Sequence, residues 1–209
     1  PSVRAASAVR IVRAGGACPK QDAEEGGVMT DRSSNAGNRI DIYVDSSWDN
    51  GRDSGRRSGG WGAVVVETQG GSRHQREISG GVGPDIDTSV KAEIYGALQA
   101  LLEVTTAPCG IRICMYTDCE PLIKASRNIL ESRRYAHANR YGEVFPTLIE
   151  LVKKRNVAIY HEKDSIYTDI GNILLKAHNL ANKARIKAFN ENSSEIMKMD
   201  KPNHYGNSR

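Results

Sequence analysis

Apolar and polar residues alternate from Ile40 to Asp45, with Ile40, Ile42 and Val44 on one side and Asp41, Tyr43 and Asp45 on the other. A period of two over residues 39–45 predicts a strand. The stretch 46–60 is dense in Ser, Asp, Gly and Arg and reads as a loop. A β-branched run over Trp61–Thr68 then predicts a second strand. Gly70, Gly71 and Ser72 make a turn, and the run to Val82 supplies a hairpin partner. Asp87, Thr88 and Ser89 are N-cap residues before a helical stripe of Ile94, Ala97, Leu98, Leu101 and Leu102. Ile111–Asp118 alternates again and, like the first strand, stops on a carboxylate. A helix is expected from Pro121 to about Leu130, and another over 145–155 with Pro146 in its first turn and Asn156 closing it. A short strand follows over 157–161. A last helix runs from Ile173 to about Phe189 on a stripe of Ile173, Ala177, Leu180, Ala181 and Ala184.

The order β-β-β-α-β-α-α-β-α implies an α/β domain: an antiparallel three-strand meander continued into a mixed five-stranded sheet with helices on both faces. The right-handed crossover rule lets the first and fourth strands lie parallel and adjacent.

Composition adds limits rather than a function. The 209 residues suffice for one domain with tails, here 1–38, 39–189 and 190–209. Residues 1–38 are rich in Ala, Gly, Ser and Arg, and the first 21 carry Arg4, Arg10, Arg13 and Lys20 with no acid. That charge pattern resembles an organelle presequence, but the composition favours a disordered leader. The tail 190–209 is polar and expected to fray. No apolar run approaches the roughly 18 residues that cross a bilayer. A net charge of +4 permits a polyanionic partner without demanding one. The four cysteines, 18, 109, 114 and 119, include no C-x-x-C pair and read as reduced thiols of an intracellular protein, with Cys114 in the core. Nothing in the chain chooses between nucleus, cytoplasm and mitochondrion.

The two strand-terminal acids matter because parallel neighbours bring both to one sheet end. Asp45 and Asp118 would emerge together, and Glu93 is expected in the first turn of the helix between them, beside its buried stripe. Singly, each acid is also explained as a turn former or a complement to the helix dipole. Together, three converging carboxylates repel one another, and a hard divalent cation such as Mg²⁺ or Mn²⁺ relieves that repulsion.

The stretches "IYVDSSWDNG…GGWGAVV", "KAEIYGALQAL" and "MYTDCEPLIKA" resemble ribonuclease H type 1, most of all its eukaryotic and fungal branch, over about residues 39–186. The resemblance implies strand order 3-2-1-4-5. It also implies cleavage of the RNA strand of RNA·DNA hybrids by two metal ions, held about 3.5–4 Å apart by Asp45, Glu93 and Asp118. The family's final-helix motif, aligned on Ala177–Ala181, puts His178 at the fourth acid. Nucleases of related fold, the Holliday-junction resolvases and Argonaute-type slicers, use His there, and imidazole can ligate Mn²⁺ or Mg²⁺. Asp169, just before the helix, is the other candidate for that position. Departures from the family are Ser46 for the usual Gly, Ser89 and Val90 for hybrid-contacting Asn residues, and Cys119 for Ser; His161 comes earlier than the family's mobile His and reads as a strand end.

Nucleic-acid contacts are expected from Ser46, Ser47 and Ser89, and from Arg133, Arg134 and Arg140 in the basic, aromatic run 132–141. Two other functions fit the same motifs: a degenerate module that binds nucleic acid without cutting it, and a related nuclease with a different substrate.

Overall fold

The computed structural model describes residues 38–51, 57–83, 85–104, 110–128, 141–165 and 169–199. All but the last residue of the expected leader 1–38, and all but Tyr141 of the basic run 132–141, lie outside them. Five strands form one sheet in the order β3-β2-β1-β4-β5: β1 (Arg39–Asp49), β2 (Ser58–Gln69), β3 (Ser72–Gly81), β4 (Arg112–Thr117) and β5 (Ala158–His161). The first three are antiparallel neighbours, and β4 pairs in parallel with both β1 and β5. The helices are α1 (Ser89–Leu102), α2 (Glu120–Asn128), α3 (Val144–Arg155) and α4 (Ile170–Met199).

Alternation along the strands sorts residues onto two faces. Ile40, Ile42, Val44, Ala63 and Val65 face a core closed by α1, α2 and α3 through Ile94, Leu98, Leu101, Leu122, Phe145 and Leu148. Tyr43, Val64, Val66, Cys114 and Tyr116 face the opposite way, where Ile173 and Ala177 of α4 cover them. Tyr43, Tyr116 and Tyr160 occupy one row of β1, β4 and β5. Their rings stack at centroid distances of 4.8 and 5.6 Å. On the same side Asp41 is fully buried and pairs with Arg39 at 2.7 Å, as a buried charge requires.

Local signals explain the helix ends. Thr88 caps α1, its side chain accepting from Lys91 N. Asn156 ends α3 in the left-handed conformation, φ 51°, with Lys153, Lys154 and Arg155 in the last turn.

Four boundaries move by three residues or more from expectation. β1 continues four residues past Asp45, and β2 starts at Ser58 rather than Trp61, because Ser46–Asp49 pair with Trp61–Ser58. The segment read as a loop thus begins and ends in a two-stranded arm, seven of its fifteen residues being strand. α4 begins three residues earlier than expected and runs to Met199 rather than Phe189, so helix replaces the first half of the expected frayed tail. Glu93 is the fifth residue of α1, beyond the first turn, where the helix dipole has faded; that explanation of its position falls away. Among the described residues, no helix is long and apolar enough to cross a membrane.

Candidate active site

β1 and β4 pair from Arg39–Arg112 to Tyr43–Tyr116 and then part. Asp45, on β1, and Asp118, just past the end of β4, each lie two residues beyond that last pair. Beyond β4, Cys119 N donates to Thr117 Oγ1, turning the chain away from the sheet. Glu93 reaches the same point because α1 lies close over β1. A Cβ at Gly96 would stand 2.8 Å from Ser46 Oγ and from Trp61 Cβ, and Ser46 Oγ donates to Ala92 O at 3.0 Å. Each of the three carboxylates offers an oxygen within 4.8 Å of the others.

The electrostatics are those of a site waiting for positive charge. Burial, then the charges of Asp45 and Asp118, push the Glu93 carboxyl up to about 9. Glu93 Oε2 is buried and has no hydrogen-bond partner. An orphaned carboxylate oxygen facing two further acids fits a hard divalent cation, whose ligands are oxygens. Burial, followed by the charge of Asp118, also raises Glu162, which sits on the 3-10 turn after β5. Sequence reading missed Glu162 because its approach to Asp118 depends on β5 pairing with β4.

The fourth position comes from the other face. Gly62 lets α4 rest on β2: a Cβ there would stand 2.5 Å from Leu180 Cβ and 2.6 Å from Ala177 O. The contact sets His178 Nδ1 2.8 Å from Asp45 Oδ2. The other ring nitrogen, Nε2, lies 2.9 Å from Asn182 Nδ2. Asn182 Oδ1 accepts from Ser47 Oγ at 2.7 Å, Ser47 Oγ accepts from Arg185 Nε at 2.9 Å, and Arg185 Nη1 reaches Asp49 Oδ2 at 3.4 Å. Beside this row, Ser47, Trp48, Asp49, Asn50, Ser89 and Arg185 line an open groove of about 450 Å³.

Solved structures share this architecture. The solution structure of the prototype foamy virus RNase H domain superposes with a TM-score of 0.53 at 21% identity, over 71% of this chain and 95% of that one. The fold is that of ribonuclease H. The foamy viral protease–reverse transcriptase in complex with RNA/DNA hybrid gives a TM-score of 0.57 at 16% identity over 80% of this chain, which matches only 22% of the viral protein. LC9-RNase H1, a type 1 RNase H with the type 2 active-site motif, gives 0.53 at 16% identity over 72% of this chain and 74% of the other. No family model matches the chain, and no curated protein does.

On this ribonuclease H scaffold the expected site residues divide. Asp45, Glu93 and Asp118 come together, and His178 joins them through Asp45. Ser46 turns its hydroxyl inward to Ala92 O, while Ser47 and Ser89 border the groove. Arg133, Arg134 and Arg140 lie outside the described residues. Asp169 stands at the start of α4 in an ion pair with Arg73 at 3.3 Å. Nine residues of helix put it ~13 Å along the axis from His178. His161 ends β5, and its Nδ1 accepts from Lys163 N. Cys114 and Cys119 are free and buried; Cys18 and Cys109 lie outside the described residues. Burial, with the charge of Glu93 behind it, pushes the Cys119 thiol up to about 12, which leaves it inert. Asn182 and Arg185 are additions that the sequence did not announce. Their signal was the i, i+4 and i, i+7 spacing from His178 on one helix face.

Proposed function

We propose that the protein is a divalent-metal-dependent endonuclease that hydrolyses the RNA strand of RNA·DNA hybrids. The observation that carries this reading is the meeting of Asp45, Glu93 and Asp118 with Glu93 Oε2 left unpartnered. These residues would hold two Mg²⁺ or Mn²⁺ ions, which when bound supply Lewis-acid stabilisation and an activated water. The chain's own part is positional. Asp118 is exposed and faces incoming ligand, Glu93 anchors from the buried side, and Asp45 is held between Ser46 N and His178. Ser47, Ser89 and Arg185 line the groove alongside and suit contacts to sugar and phosphate. Arg133, Arg134 and Arg140 would extend that surface. The hybrid carried by the foamy viral homologue in fold supports this substrate class.

The test is cleavage of RNA·DNA hybrid, duplex RNA and duplex DNA in Mg²⁺, in Mn²⁺ and in chelator, with Asp118→Asn alongside. Hybrid cleavage that needs metal and Asp118 is expected. A folded, metal-binding protein that cuts none of the three would refute the proposal. A second reading, a binding module without catalysis, draws on the histidine at the fourth position. It would appear as hybrid binding that chelator leaves unchanged.

A further inference from the structure

We infer that Arg185, Ser47 and Asn182 form a one-way hydrogen-bond relay that fixes His178 as the Nδ1–H tautomer, making it a donor to Asp45 rather than a metal ligand. The inference rests on the reading of Asp45 as a site carboxylate.

The direction follows from what each group can donate. Arg185 has only donors, so Ser47 Oγ must accept at the 2.9 Å contact from Nε. Ser47 has one hydroxyl proton, and it goes to the neighbouring amide 2.7 Å away, which must therefore present its oxygen. That orientation turns Asn182 Nδ2 towards His178, where it donates to Nε2 at 2.9 Å. A nitrogen that accepts carries no proton. In the neutral ring the proton is then on Nδ1, 2.8 Å from Asp45 Oδ2. Asp49 anchors the far end by pairing with Arg185 at 3.4 Å.

Five side chains from β1 and α4 are thus ordered by a single permanently charged guanidinium. Arg185 is mostly covered, whereas its anchor Asp49 and His178 are each about half exposed. A guanidinium does not deprotonate in the working pH range, so the polarity of the row does not reverse. Asp45 receives Ser46 N on Oδ1 and His178 Nδ1 on Oδ2. Each carboxylate oxygen has a second lone pair, which stays available to a cation. Direct ligation through His178 Nδ1 would require a bare nitrogen there, and hence an Asn182 amide turned end for end against Ser47. Asn182 and Arg185 are positioning residues in this scheme, since they act on Asp45 only through the imidazole.

The test is long-range ¹H–¹⁵N correlation on the full chain labelled at histidine, at a pH where imidazole is neutral, with His178→Gln to assign the signal among the five histidines. The expected pattern is a protonated Nδ1 and a bare Nε2, the reverse of the form that free histidine prefers in water. That pattern should persist when Mg²⁺ is added. In Asn182→Asp the residue at 182 can only accept, and a proton should appear on Nε2. In Arg185→Met the two tautomers should exchange. Backbone amide spectra of the variants report whether the fold is kept, and the wild-type measurement needs no variant. A wild-type Nε2–H form, loss of the Nδ1 proton on adding Mg²⁺, or an unchanged tautomer in both variants would overturn the relay. None of these readouts depends on hydrolysis, so an inactive protein with the expected tautomer would defeat the nuclease proposal and leave the relay standing.

Discussion

Glu93 is the most informative single residue to perturb, because the fold holds it against its own ionisation. Its carboxyl titrates at about 9 in the folded chain and at 4.5 when unfolded, through burial first and then Asp45 and Asp118. A raised carboxylate costs stability wherever the unfolded chain has lost a proton that the folded chain keeps. Below pH 4.5 both states are protonated and there is no cost. Between 4.5 and 9 the cost grows by about 1.4 kcal/mol per pH unit and then levels off. Neutral pH lies some 2.5 units above the unfolded value, so the metal-free protein is held back by on the order of 3 kcal/mol. Glu93→Gln keeps the shape and removes the titration. Urea melts of chelated protein, run between mildly acid and mildly alkaline pH, should show wild-type stability falling as pH rises and the variant nearly level. At neutral pH the variant should be the more stable of the two by up to about 3 kcal/mol. Saturating Mg²⁺ should restore the wild type and release about one proton on binding, readable by calorimetry in buffers of different ionisation heat. Equal pH slopes for wild type and Glu93→Gln would refute the argument.

Other perturbations probe separate parts of the molecule. Asp118→Asn should keep the fold and lower hybrid cleavage by about a hundredfold or more, a loss on the order of 3 kcal/mol in the transition state, read from initial rates in Mg²⁺. Gly62→Ala places a methyl group against Leu180 and Ala177 O and should destabilise by ~1–3 kcal/mol in thermal melts. Asp41→Ala strips the fully buried partner from Arg39 and should cost about 3 kcal/mol or more in urea unfolding. Thr88→Ala removes the α1 cap and should cost about 1 kcal/mol in the same measurement.

The sheet was legible because its buried faces alternate cleanly: Ile40, Ile42 and Val44 announce β1 as surely as Ile113 and Met115 announce β4. The three acids were legible because their elements were, and because parallel pairing carries Asp45 and Asp118 to one sheet end. The arm beyond Asp45 was not. Ser47 and Asp49 face Asn182 and Arg185 of α4, so both sides of that contact are polar and the alternation that marks a strand vanishes. Glu162 escaped notice for a similar reason, since only the pairing of β5 with β4 brings it near Asp118. His178 was found through the resemblance to the family's final-helix motif, but its partner Asn182 needed the glycine-floored seat of α4 on β2 before its role could be seen.

The parting of β1 and β4 after Tyr43 and Tyr116 has a consequence for how such a site changes over time. Asp118 stands past the end of its strand, and the side of β1 that faced β4 carries no ladder from residue 44 onward. Residues in that gap can be exchanged with little effect on the strand pairing and core packing that hold the domain. A scaffold built this way separates heritable shape from local chemistry. It can seat an imidazole beside Asp45, provided the surrounding side chains are arranged to hold it.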